Sequence, residues 1–144
     1  MNTILLYIHL ASLALAVYGI VTADHAALNW MRGKTEVVSS RTLFTTHWIV
    51  TTGLLALVYS GLLLFWPLHT YLITQPYFIT KMAFVFALLI NGICIEWLMH
   101  VAAHRSYASL NQNQKLPLLV SGGVSTLSWL GAATMAILQF GWLF

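Results

Sequence analysis

Apolar residues dominate four long stretches of this chain, near Thr3 to Ala23, Leu43 to Trp66, Tyr77 to Met99 and Leu116 to Phe144. A hydrocarbon layer about 30 Å thick is crossed by roughly 20 helical residues rising about 1.5 Å each, so each stretch predicts one membrane-spanning helix. Strands of a membrane barrel would alternate apolar and polar residues, and the run Leu54-Leu55-Ala56-Leu57-Val58 does not. The connections total only a few dozen residues, too few for a separate aqueous domain. The pattern therefore predicts an all-α membrane protein, a four-helix antiparallel bundle forming a single domain over residues 1–144.

Punctuation supports those limits. Pro67 and Pro76 bracket the second connection, and Pro117 is expected in the first turn of the fourth span, where a missing N–H costs least. Asn111-Gln112-Asn113-Gln114 reads as a polar, turn-prone loop, and no repeat or low-complexity tract is present. Small residues mark the faces that should meet. Ser121, Ser125, Ser128 and Ala132 recur at steps of three and four and continue to Gln139; in the first span His9, Ser12, Ala16, Gly19 and Ala23 form a second stripe. Such stripes let helix backbones approach closely in lipid, so His9 is expected to face inward.

Composition agrees: 60% of residues are hydrophobic and 6% charged, far from the balance of an aqueous domain. The net charge of +3 does not indicate nucleic acid, because Arg32, Lys34, Arg41, Arg105 and Lys115 are scattered over two loops, Asp24 to Thr42 and His100 to Lys115. Both loops fall on one side of the membrane. The positive-inside rule makes that side cytoplasmic and puts both termini outside. Met1-Asn2-Thr3 lacks the basic start of a signal peptide, so the first span is expected to be retained. Cys94, the single cysteine, allows no intrachain disulfide and is expected to be a packed, inert thiol. The six tryptophans, Trp30, Trp48, Trp66, Trp97, Trp129 and Trp142, fall mostly near span ends and predict an interfacial aromatic belt.

Against this background six histidines stand out. An ionisable group within a span costs on the order of 2.5–3.5 kcal/mol on insertion scales, so it asks for a partner, a cavity or a ligand. His9, His47, Lys81 and Glu96 fit that description. His9 and Lys81 enter from the outer side. Toward the cytoplasm, Asp24 and His25 end the first span, His47 begins the second, and Glu96, His100 and His104 recur every four residues on the third. Imidazoles suit haem iron, non-haem Fe, Zn and Cu alike, and nothing in the pattern selects among them. His25, His69 and His104 also read as interfacial rings, and Lys81 as a side chain reaching outward to headgroups.

Several segments carry a resemblance. Tyr7-Ile8-His9-Leu10, Phe44-Thr45-Thr46, Ile79-Thr80-Lys81-Met82-Ala83-Phe84-Val85 and Leu110-Asn111 resemble the four-helix haem-b membrane proteins typified by the bacterial membrane protoporphyrinogen oxidase. The resemblance implies that His9 is associated with haem b, that Lys81 is functionally required, and that the chain resides in a bacterial inner membrane. This chain has His47 where the family tends to have proline, and Asn91-Gly92 where it tends to have an aromatic or histidine pair. Asp24-His25-Ala26-Ala27 also matches its basic loop motif poorly. A haem-binding relative is thus implied rather than that enzyme itself.

Three functions follow as expectations. In the first, one or two haems are bound, with His9, Lys81, His47 and His100 as binding residues, for electron transfer or porphyrin-linked oxidoreductase chemistry; Lys81 and Glu96 are the catalytic candidates. Partners would be lipid and a quinone, a porphyrin or a redox protein, with homo-oligomers also expected. In the second, a haem-free Zn, Cu or Fe site uses His47, His100, His104 and Glu96, completed by His25 or Asp24. In the third, the chain is a cofactor-free assembly partner. No phosphate loop, nucleophile elbow or HExxH motif is present.

Overall fold

The computed structural model describes residues 3–141, with side chains described through Leu138. Gln139 and Trp142, named above, lie outside the described side chains. Helix α1 spans Thr3–Met31, eight residues past the expected end at Ala23, because Ala26-Ala27-Leu28 favours helix and no Gly or Pro intervenes before Gly33. Asp24 and His25 therefore belong to the helix and not to a loop. Gly33, at φ +71°, ends it: its N–H donates to the Trp30 carbonyl and the Lys34 N–H to the Asn29 carbonyl. This double closure satisfies carbonyls that a helix end would leave open, and glycine supplies the left-handed conformation it needs.

Helix α2 covers Ser40–Phe65, followed by a 3-10 turn at Trp66–Leu68 and a single α-turn, α3, at His69–Leu72. Helix α4 runs from Pro76 to His104, one residue ahead of the expected Tyr77 and five past the expected Met99, so His100 to His104 belong to the helix and not to the loop. A second 3-10 turn, Tyr107–Ser109, leads to α5, Gln112–Gly141. That helix begins four residues ahead of Leu116, which moves Pro117 out of the first turn and removes the bond its nitrogen would have given to the Asn113 carbonyl. The described residues hold helices and no strand, and α1, the segment Ser40–Leu72, α4 and α5 are long and apolar enough to cross a membrane. The chain is all-α and has the character of an integral membrane protein.

Two compact units divide the chain, one of residues 1–67 and 99–111, the other of 68–98 and 112–144. In the first, α1 and α2 lie antiparallel at close range. His9 meets Ser60, Ala16 meets Gly53 and Gly19 meets Val50. Seven residues forward on α1 thus match seven backward on α2, and then three match three. A Cβ on Gly53 would stand 2.9 Å from the Ala16 nitrogen, so glycine is what permits this approach. The contact face of α2 is a stripe at seven-residue intervals, Thr46, Gly53 and Ser60, all buried. On α1 it is Ser12, Ala16 and Gly19, also buried, as the small-residue pattern predicts.

Polar clasps finish this unit. Trp30 is buried, its indole Nε1–H donating to the Arg105 carbonyl at 3.0 Å and its ring standing edge-on to Tyr107. An inward hydrogen bond thus takes Trp30 out of the expected belt. The Val38 N–H donates to the Ala102 carbonyl.

In the second unit, Asn91 and Ser121 join α4 to α5 in both directions. Asn91 Nδ2 donates to the Ser121 carbonyl at 3.0 Å, and Ser121 Oγ donates to Asn91 Oδ1 at 2.8 Å. The Phe84 ring covers Gly131. Ser121, Ser128 and Ala132 of the predicted stripe are buried and Ser125 is half-buried. Large apolar side chains are turned outward instead: Trp97 is 85% exposed, Ile93 69% and Leu127 68%, a surface that only lipid or another apolar partner can cover at low cost. Cys94 is exposed, so the packed thiol expected from sequence is absent.

Candidate cofactor site at His9

His9 sits on α1 between its first exposed turn and the tightly packed Ser12–Gly19 face, and it is half-buried. Its Nδ1 is 2.8 Å from Ser60 Oγ across the helix pair. Chemistry fixes the direction of that bond. Ser60 Oγ lies 2.6 Å from the Ala56 carbonyl and 3.2 Å from the Leu57 carbonyl, and carbonyl oxygens only accept. The single hydroxyl proton goes to the shorter contact, since two oxygens 2.6 Å apart without a proton between them would repel. Ser60 Oγ therefore accepts from His9 Nδ1–H. A ring nitrogen held in this way by a fixed acceptor is how metal-ligating histidines set their tautomer and orientation.

Ser60 is only 1% exposed, so its hydroxyl is a rigid anchor. Gly61 follows it, and a Cβ there would lie 3.5 Å from His9 Cε1, in ordinary contact. No side chain of residue 61 crowds that edge of the imidazole. The ring is thus held at Nδ1 by a buried hydroxyl and bordered by Gly61. Neither Ser60 nor Gly61 was singled out from the sequence. The signal was the seven-residue recurrence of Thr46, Gly53 and Ser60, which marks the face of α2 opposite the His9 stripe.

Lys81 is half-buried one turn into α4, and His47 is half-buried two turns into α2 beside the buried Thr46, whose hydroxyl donates to the Thr42 carbonyl at 2.8 Å. Asp24, His25, Glu96, His100 and His104 are all exposed. Among the described residues no three His, Cys, Asp or Glu side chains gather in a way that could hold a metal ion. The structure does bring His100 and His104 together, with ring centroids 6.3 Å apart. His69, on the short α3 turn, is exposed beside Thr70, 3.3 Å from its hydroxyl.

What the structure shows at His9 is an imidazole tied by a side-chain hydrogen bond to a buried serine across an apolar helix pair. No family model, curated protein or solved structure matches this chain.

Proposed function

We propose that this chain is an integral membrane protein that binds b-type haem through His9 and serves electron transfer or porphyrin-linked redox chemistry. The observation that carries the reading is the His9 Nδ1–H bond to the buried Ser60 hydroxyl, which holds the ring in one orientation between α1 and α2. The sequence resemblance supports the same residue.

Haem would supply one-electron chemistry at its iron. The chain's own residues do the rest. Ser60 holds the imidazole and raises its basicity as a ligand. The apolar surroundings of α1 and α2 lower the local dielectric, which tunes the potential of a bound iron. By the sequence resemblance, Lys81 is the candidate cation for an anionic porphyrin, and it is half-buried on α4. Glu96, exposed on α4, is the candidate proton carrier.

The test is optical. Protein expressed with ample haem supply and purified in detergent is expected to show reduced-minus-oxidised haem bands that are lost in His9→Ala. Absence of those bands from the unaltered protein, or their full retention in His9→Ala, would overturn the assignment.

A further inference from the structure

The last turn of α4 holds a pair of imidazoles separate from the His9–Ser60 contact. His100 and His104 are one helical turn apart and both exposed, their ring planes inclined by 31°. Residues four apart stand on the same helix face, one above the other. His104 Nδ1 lies 2.9 Å from the His100 carbonyl oxygen. That oxygen can only accept, so Nδ1 carries the proton and the lone pair of the neutral ring is on Nε2. The backbone itself thus sets His104 in a ligand's tautomer, the arrangement found behind metal-bound histidines. His104 is also the final residue of α4, where unsatisfied carbonyls place partial negative charge that favours a cation.

We propose that His100 and His104 form a two-imidazole chelate for a divalent transition ion, with copper(II) bound most tightly and water completing the coordination. Two neutral nitrogen donors select against Mg²⁺ and Ca²⁺, which require oxygen ligands, and the order of divalent affinities puts copper(II) above nickel(II) and zinc(II). With metal–nitrogen bonds of about 2.0 Å, two imidazoles at neighbouring coordination positions bring their centroids to roughly 4.5–5 Å. The rings stand 6.3 Å apart, so closure requires a modest side-chain rotation, which exposed positions permit. Arg105 adds a neighbouring positive charge, but it is exposed, and solvent and salt screen it over about 8–10 Å. A two-ligand exposed site exchanges its ion readily, so it suits uptake and transfer of metal rather than permanent structural binding.

Titration of the untagged, detergent-solubilised full chain with copper(II), followed by calorimetry and electron paramagnetic resonance, tests the proposal. One equivalent of copper with hyperfine coupling to two imidazole nitrogens is expected, weaker binding of nickel and zinc, and none of magnesium. His100→Asn and His104→Asn should each weaken copper binding at least about tenfold, as should His104→Gln, while His69→Asn leaves it unchanged. Haem absorbance should be the same in all these variants, which separates this site from His9. Unaltered copper affinity in the His100 and His104 variants, an equal loss in His69→Asn, or a loss of haem from either His variant would overturn it.

Discussion

Asn91 and Ser121 grip one another twice, amide to carbonyl and hydroxyl to amide oxygen, at a buried point between α4 and α5. Breaking the exchange from its two ends should not cost the same. Ser121→Ala strands the Asn91 oxygen away from water, and a loss of about 1–2 kcal/mol is expected. Asn91→Leu should cost less, because the Ser121 hydroxyl can turn back to the carbonyl four residues earlier, at Pro117. The double variant should lie close to Asn91→Leu alone. Unfolding of the three variants in mixed detergent micelles measures the difference.

Glycines in this chain are not equivalent. At Gly53 a methyl group would meet the Ala16 backbone nitrogen at 2.9 Å, whereas at Gly122 and Gly123 it would meet nothing within 4 Å. Gly53→Ala is expected to push α1 and α2 apart and destabilise by about 1–3 kcal/mol. Gly122→Ala and Gly123→Ala should be neutral or stabilising by up to about 1 kcal/mol through helix propensity. Thermal denaturation in one detergent, compared across the three, is sufficient to rank them.

Ser60→Ala removes the acceptor of His9 Nδ1–H without touching the ring itself. Haem affinity is expected to fall about 10–100-fold while some haem binding remains, in contrast to the complete loss in His9→Ala. Haem titration of apoprotein, together with the reduction potential of the residual holoprotein, distinguishes a mispositioned ligand from a missing one. Equal haem affinity in Ser60→Ala and the unaltered chain would remove the serine from the site.

Trp30→Phe keeps an aromatic edge against Tyr107 but deletes the bond to the Arg105 carbonyl. A loss of about 1 kcal/mol is expected. Its signature should be local: faster amide hydrogen exchange near Val101 to Tyr107, with α2 unchanged.

Helix number and class were legible because a bilayer imposes length and apolarity on any segment that crosses it. The small-residue faces of α1 and α5 were legible for the same kind of reason, since close packing demands small side chains wherever helices touch. Helix ends were less so. The Asp24-His25 pair reads as an interface, yet alanines and a leucine carry α1 to Met31, and only Gly33 stops it. At the candidate site, His9 was visible as an imidazole out of place in lipid. Ser60 was not, because a serine at depth most often bonds its own helix; that it also accepts from His9 depends on a register between α1 and α2 that no single segment encodes. Glu96, His100 and His104 shared a four-residue spacing, and the two imidazoles, carried by one helix, stand with ring centroids 6.3 Å apart.

The paired backbone bonds at Gly33 also bear on what the rest of the molecule must supply. With the Asn29 and Trp30 carbonyls satisfied by Lys34 and Gly33, that end of α1 needs no other element to quench them. The α1–α2 hairpin, seated on Gly53 and Ser60, thus carries its own closure at the turn.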